Sequence, residues 1–210
     1  MPAPMRNTMS GRCGGPRLPS GDRSLPAPVL MVDEGLELRQ AMPDDAEEMF
    51  VEIEGNREYL REWLPWLDDI TSPENEMTFL RGTLREYEKG DGASYGIRLV
   101  GRYIGGMGLN WIDRGNRACG IGFWLSEKFT GQGIVTRCCA RLMDHCFDDL
   151  EFHRFVLEAA TDNTASRAVA ERLGMRLEGI TKDREWLYDH YVDAALYAIT
   201  APEWRQRNQG

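Results

Sequence analysis

The residues best suited to chemistry in this 210-residue chain begin at Thr130-Gly-Gln-Gly-Ile-Val-Thr136. Two glycines one residue apart open what reads as a helix. Bare backbone N–H groups would then lie at the positive end of the helix dipole, an arrangement suited to a phosphate. No Gly-Lys-Ser/Thr follows, so this is not a P-loop, and the third glycine of the dinucleotide fingerprint is missing. Taken alone, the stretch reads equally well as a plain turn capping a helix. His145, His153 and His190 share no motif, and five cysteines (Cys13, Cys119, Cys138, Cys139, Cys146) show no Cys-x-x-Cys spacing, so no metal site is expected. The odd number of cysteines points to reduced thiols and a cytoplasmic setting.

The elements that position this loop can be read from periodicity. Gly120-Ile-Gly-Phe-Trp-Leu125 precedes it with the aromatic and branched residues that sheets favour. Residues 133–149 follow as a helix with a mainly apolar face, broken by Thr136, Arg137, Arg141 and Asp144. Phe152–Ala160 reads as a buried strand. Strand, helix, strand at this length is a crossover unit, so the two strands are expected to be parallel neighbours. Upstream, Gly35–Gln40 alternates as a first strand. Pro43-Asp-Asp45 and Ser72-Pro-Glu74 each start a helix, and Gly90-Asp-Gly92 ends the second. Residues 95–99 and 103–111 form further strands, with Gly101-Arg102 as their turn and Gly105, Gly106 and Gly108 marking a bulge or a close approach. Trp63-Leu-Pro-Trp66 belongs to a short aromatic helical segment broken at Pro65, either core packing or a wall over a cleft. After Asp162-Asn-Thr164 caps another helix, Met175–Gly179, Trp186–Tyr188 and Tyr191–Thr200 supply the last strands, with Asp189-His190 at a hairpin tip. Residues 1–30, rich in Pro, Gly, Ser and Arg, read as a disordered extension, 31–204 as a single domain, and 205–210 as a tail; Met31 is a second candidate start.

Composition narrows the function classes. The net charge of -9 argues against a duplex nucleic-acid binder, which needs a basic face, and it suits a cationic substrate such as an amine. No apolar run is long enough to span a membrane, and the N-terminus lacks a signal-peptide core.

In order and spacing, these pieces resemble the GNAT superfamily of N-acetyltransferases, and within it the RimJ/RimL type that acts on ribosomal proteins. The matching stretches are Leu36-Glu-Leu-Arg39, Trp63-Leu-Pro-Trp66, Ile121-Gly-Phe-Trp-Leu125, Gly131-Gln-Gly-Ile134, Arg154-Phe155, Asp162-Asn163 with Ser166, Arg172-Leu-Gly-Met175 with Glu178-Gly179, and Tyr191-Val-Asp193 with Tyr197. The resemblance implies an α+β fold, with a mixed, mostly antiparallel sheet splayed between the fourth and fifth strands and helices on both faces. It implies acetyl-CoA as co-substrate and no metal. The diphosphate would lie on the main chain of Thr130, Gly131, Gln132, Gly133, Ile134, Val135 and Thr136, the pantetheine arm along Phe123, Trp124 and Leu125, and Asn163 would touch the coenzyme. Many members carry a tyrosine where this chain has Ala170. The RimL-like branch instead has a serine and a glutamate, here Ser166 and Glu185. A homodimer is implied by the family alone.

Acetyl transfer requires a neutral amine, a donor to the developing oxyanion and a hydrogen bond or proton for the departing thiolate. The expectation is that Glu185 is the general base, directly or through water, that the main chain near Trp124 serves the oxyanion, and that Ser166 hydrogen-bonds the sulfur. Glu158 and Asn110 rank behind them. The expected reaction is direct attack of a primary amine, from a protein N-terminus or a small molecule, in a ternary complex. A non-catalytic coenzyme A-binding module of the same fold is the alternative reading.

Overall fold

The computed structural model describes residues 25–207. The chain runs β1 (Val29–Asp33), β2 (Leu36–Gln40), α1 (Ala46–Glu54), α2 (Arg57–Arg61), α3 (Pro73–Lys89), β3 (Ala93–Leu99), β4 (Arg102–Asp113), β5 (Ala118–Leu125), α4 (Ile134–Asp144), β6 (Arg154–Ala160), α5 (Thr164–Arg172), β7 (Arg176–Leu187), β8 (His190–Thr200) and α6 (Ala201–Arg207). The described strands form one eight-stranded sheet in the order β1-β2-β3-β4-β5-β6-β8-β7. Every neighbouring pair is antiparallel except β5 and β6.

Local sequence explains most of these boundaries. Ser72 and Asn75 form a reciprocal capping box ahead of α3, with Pro73 in its first turn, and Gly90 ends it in the left-handed conformation at φ 73°. Asn163 caps α5 by accepting the Ser166 N–H at 2.9 Å. Side chains alternate across the sheet. Along β5, Trp124 joins an apolar cluster with Tyr103 and residues of α1, α2 and α3, whereas Ile121 and Leu125 join the larger cluster with α4 and α5. Close approach accounts for the glycines of β4. A Cβ on Gly106 would stand 2.5 Å from Nε1 of Trp124, so the indole ring lies directly over that glycine.

The structure departs from the sequence reading at three places. Val29–Asp33 is a strand, and the chain just before it is tied down from afar. Pro26 C=O accepts from Tyr87 Oη at 2.7 Å, Ala27 C=O accepts from Tyr95 Oη at 3.0 Å, and Ala27 N–H donates to His145 Nε2 at 2.9 Å. With Leu30 buried, the expected boundary at 30/31 does not hold, because its anchors lie 61 to 118 residues away in sequence. At the other end α6 carries order to Arg207, past the expected limit of 204. The reading of residues 1–24, Cys13 included, and of 208–210 lies outside the described residues. The β3–β4 turn is Val100-Gly101, both at positive φ, one residue earlier than expected. Because β1 is added, the predicted fourth and fifth strands are β5 and β6.

Candidate active site

The one parallel junction is short. β5 and β6 pair only from Ala118↔Arg154 to Ile121↔Leu157. Beyond that, β5 stays with β4 as far as Leu125↔Gly105, while β6 stays with β8 as far as Ala160↔Ala194. The two strands part, and the main-chain groups facing the gap lose their strand partners. Buried main-chain N–H and C=O groups require hydrogen bonds, so an edge of this kind is suited to an extended ligand carrying amides. Phe123, Trp124 and Leu125 lie on the parted stretch; Phe123 is half-buried and the other two are buried.

The gap leads to the glycine loop. Gly131 and Gly133 adopt φ of +72° and +70°, and a Cβ on Gly131 would meet nothing within 4 Å. Thr130 folds back on Glu127, its hydroxyl donating to that carbonyl at 2.7 Å. The backbone N–H groups of residues 131–136 donate to no acceptor among the described residues, and Arg137 N–H is the first to return to the chain, at Gly133 C=O. Thr130, Gly131, Gln132 and Gly133 are exposed, Val135 and Thr136 are half-buried, and Ile134 is buried as the anchor of α4. Consecutive free N–H groups at the start of an 11-residue helix fit a diphosphate.

The turn before the loop is locked from beneath. Glu52 is buried in α1; its Oε1 accepts from the Ser126 hydroxyl at 2.6 Å, and Arg102 and Lys128 pair with it at 3.0 and 3.3 Å. Burial pulls the Glu52 carboxyl up, but the bonds from Ser126, Arg102 and Lys128 outweigh it and hold the group below its ordinary value. Asn56 Oδ1 accepts the Glu127 N–H at 3.0 Å. None of these supports is legible in the sequence, because each joins a strand or the turn after β5 to the α1–α2 region 50 to 76 residues earlier.

Ser166 lies in the first turn of α5, half-buried, and its hydroxyl bonds to none of the described residues. Asn163 spends one amide oxygen on its cap and keeps its Nδ2 uncommitted. Ala170 is fully buried. Glu185 is half-buried on β7 and has no hydrogen-bonding partner among the described residues. Burial lifts its carboxyl above the ordinary range, Arg184 pulls it back and Glu158 adds to the lift. Glu158 on β6 takes Arg184 Nε at 2.8 Å across the intervening β8. Asn110 lies against Gly122, where a Cβ would stand 2.5 Å from its Nδ2. The C-terminal end of β6, the turn before α5 and the irregular middle of β7 are thus joined through β8. Of the histidines, His145 is buried and bonded to Ala27 and Asp149, while His153 and His190 are exposed. Among the described residues no three His, Cys, Asp or Glu side chains converge as a metal would require.

A recess of about 500 Å³ opens between α2 and the β7–β8 hairpin tip, lined by Arg61, Glu62, Asp68, Leu187, Tyr188, Asp189 and His190. The Tyr188 hydroxyl donates to Leu64 C=O, and the Arg61 guanidinium sits 3.8 Å from the Tyr188 ring centroid while gripping Asp68 with two 2.8 Å bonds. The Tyr188–Leu64 bond brings the Trp63–Trp66 segment against the hairpin tip, while Leu64 and Trp66 also pack on the cluster around Tyr103 and Trp124.

A sheet that opens at its single parallel junction, above a helix start with free N–H groups, defines the class of acetyl-CoA-dependent N-acetyltransferases. The chain belongs to the GNAT acetyltransferase family, whose domain model matches residues 35–176. It is 32% identical over 170 residues to the ribosomal-protein-serine acetyltransferase of Escherichia coli (strain K12), covering 81% of this chain and 95% of that one. Among solved structures, RimL, a ribosomal L7/L12 alpha-N-protein acetyltransferase in complex with coenzyme A, superposes with a TM-score of 0.79 at 32% identity, covering 82% of this chain and 97% of that one. The microcin C7 self-immunity acetyltransferase MccE, in complex with acetyl-CoA and AMP, superposes with a TM-score of 0.79 at 26% identity, covering 85% and 99%. The mixed splayed sheet with helices on both faces is the fold that the sequence reading expected, and acetyl-CoA is its co-substrate.

Proposed function

We propose that this enzyme acetylates the N-terminal α-amino group of a protein, of the ribosomal-protein kind, by direct attack in a ternary complex. The observation that carries this reading is the half-buried Glu185, its carboxylate without a hydrogen-bond partner among the described residues, on the strand that leads into the recess between α2 and the hairpin tip. The E. coli relative is named for a ribosomal protein serine, which supports a protein acceptor over a free small amine. Acetyl-CoA supplies the acetyl group as a thioester. The N–H groups of residues 131–136 and the Asn163 amide bind and orient the coenzyme, and the main chain of Phe123 to Leu125 aligns its arm. Glu185 removes the proton from the incoming ammonium. A carboxylate raised above its ordinary range is a stronger base than a solvated one, and its charge also attracts the cation. Ser166 donates a hydrogen bond to the sulfur as negative charge gathers there; a serine hydroxyl is too weak an acid to do more. Much of the rate comes from holding amine and thioester together. No helix among the described residues is long and apolar enough to cross a membrane, and a ribosomal-protein acceptor places the reaction in the cytoplasm. A homodimer, implied by the family resemblance, belongs to the same proposal and is decided by light scattering.

The test supplies labelled acetyl-CoA and two peptides of one sequence, with a free or a blocked N-terminus, each containing lysine. Mass spectrometry should find label on the α-amine of the first peptide alone. Equal labelling of both peptides, at lysine, would refute the N-terminal assignment.

A further inference from the structure

Strand β7 is interrupted where it approaches Glu185. Thr181 pairs with Ala194 and Glu185 with Val192, so Lys182, Asp183 and Arg184 together face a single residue of β8, Asp193. Asp193 fastens this bulge. Its Oδ1 accepts the Asp183 N–H at 3.0 Å and its Oδ2 takes Lys182 Nζ at 2.6 Å. Asp183 is held at φ 46°, a left-handed conformation that a residue other than glycine adopts only with support from its surroundings. A bulge of this kind re-aims the side chains that follow it. Here Thr181 and Glu185 stand opposite Ala194 and Val192, two residues apart on one face of β8, so the bulge bends the strand and sets the angle of Glu185 without turning it to the other face. Arg184 leaves the bulge toward Glu158, across β8. The main chain of Asp193 serves the other half of the site. Its C=O accepts the Thr161 N–H at 2.9 Å, and Arg167 Nη1 holds the Thr161 carbonyl at 2.8 Å, which fixes the turn leading into Asn163 and Ser166.

We propose that Asp193 is a positioning residue for acetyl transfer: its carboxylate pins the Lys182–Arg184 bulge and so sets the direction in which Glu185 is presented to the acceptor amine. This rests on the reading of Glu185 as the base and gives that base its support. The groups that set the charge around Glu185 are Arg184 on its own strand and Glu158 on β6, and the bulge controls where Arg184 stands relative to both. The Lys182 ammonium is 80% exposed and its pair with Asp193 is a surface contact of small weight. The bond to the Asp183 N–H is the part that shapes the backbone, and an amide oxygen can supply it as well as a carboxylate.

The experiment compares Asp193→Ala and Asp193→Asn in the full chain, with Glu185→Gln in parallel. Steady-state rates are measured across pH, and coenzyme A affinity by calorimetry. Asp193→Ala should lower kcat by roughly tenfold or more, the scale of a misplaced catalytic group. It should also shift the acid limb of the pH profile, since Arg184 and Glu158 no longer stand in the same relation to Glu185, and leave coenzyme A affinity unchanged. Asp193→Asn keeps the acceptor for Asp183 and should retain most of kcat and the wild-type profile. Wild-type kcat and profile in Asp193→Ala, or an equal loss in both variants, would overturn the inference. If Asp193→Ala no longer binds coenzyme A, Asp193→Asn decides: an unshifted profile supports the pinning role and a shifted one overturns it. An unchanged profile in Glu185→Gln removes the base reading and this inference with it. A lost acid limb in Glu185→Gln beside an unchanged one in Asp193→Ala removes this inference alone.

Discussion

Glu76 stands in the first turn of α3 and is 1% exposed. Its Oε1 has no hydrogen-bond partner, and burial lifts the carboxyl from 4.5 to about 7. The folded chain therefore holds this proton more tightly than the unfolded chain does. Below the unfolded value both states are protonated and the side chain costs nothing extra. As pH rises from there to about 7, unfolding is increasingly favoured by release of the proton, and above that the penalty is complete. At about 1.4 kcal/mol per pH unit between the two values, it reaches on the order of 3 kcal/mol. Glu76→Gln keeps the shape and removes the titration. Urea unfolding of both proteins at a series of pH values should show the variant gaining about 2–3 kcal/mol on the wild type between roughly pH 5 and pH 8. The pH trend is the diagnostic, because the amide's own hydrogen bonds add an offset that does not vary with pH. Parallel stability curves for the two proteins would refute the reasoning, since they would mean that Glu76 ionises in the folded state as easily as in water.

Three further outcomes test the site. Glu185→Gln should lower kcat by about 10²-fold and abolish the acid limb of the profile; because the Glu185 carboxyl is raised, that limb in the wild type should lie above the ordinary carboxylate range, with the rate rising as pH increases through it. Gly133→Ala places a Cβ on a residue at φ +70°, a strain of about 1–2 kcal/mol, and calorimetry should find coenzyme A affinity weakened by roughly tenfold. Ser126→Ala leaves the buried Glu52 carboxylate short of its 2.6 Å hydroxyl partner, at a cost of about 1–3 kcal/mol. Because Glu52 is held below its ordinary value, that loss should be fully visible at neutral pH in denaturant unfolding and shrink as pH falls through the carboxylate range.

The parts of this site that were legible in the sequence are those fixed by neighbours along the chain. Gly131 and Gly133 announce a left-handed turn at a helix start, Asn163 announces a cap three residues before Ser166, and the order strand, helix, strand announces the parallel junction. Each depends on hydrogen bonds spanning a few residues, so local residue types carry the information. What escaped depends on pairing between distant segments. Val29–Asp33 looks like the end of an irregular extension, because Pro26 and Ala27 just before it are held by Tyr87, Tyr95 and His145. The bulge at Lys182–Arg184 is invisible for another reason, although its partner strand follows directly through the hairpin. Nothing in Thr-Lys-Asp-Arg-Glu says that three of these residues will face one, since register is set by the partner strand. Asp193 was noticed only as part of Tyr191-Val-Asp193, with no hint of what it holds.

The two irregularities of the sheet divide the work of the site. Where β5 leaves β6, the groups that the proposed reaction would offer to the coenzyme are main-chain N–H and C=O groups together with the free N–H groups of residues 131–136. Their chemistry does not depend on which side chains line the gap, apart from the glycines that shape the loop. Where β7 bulges against β8, the groups that the proposed reaction would offer to the acceptor are side chains: Glu185 beside Arg184, and at the recess Arg61, Tyr188 and Asp189. These side chains come from α2 and from the hairpin, which are joined by the contacts of Tyr188 with Leu64 and Arg61. Substitutions at the recess can therefore redirect the choice of amine while the grip on coenzyme A stays intact. β8 links the two ends, because it pairs with β6 on one side and carries Asp193 against the bulge on the other. A change in that strand should therefore be felt both at the turn before Ser166 and at the bulge before Glu185, the two side chains to which the proposal gives the thiolate and the proton.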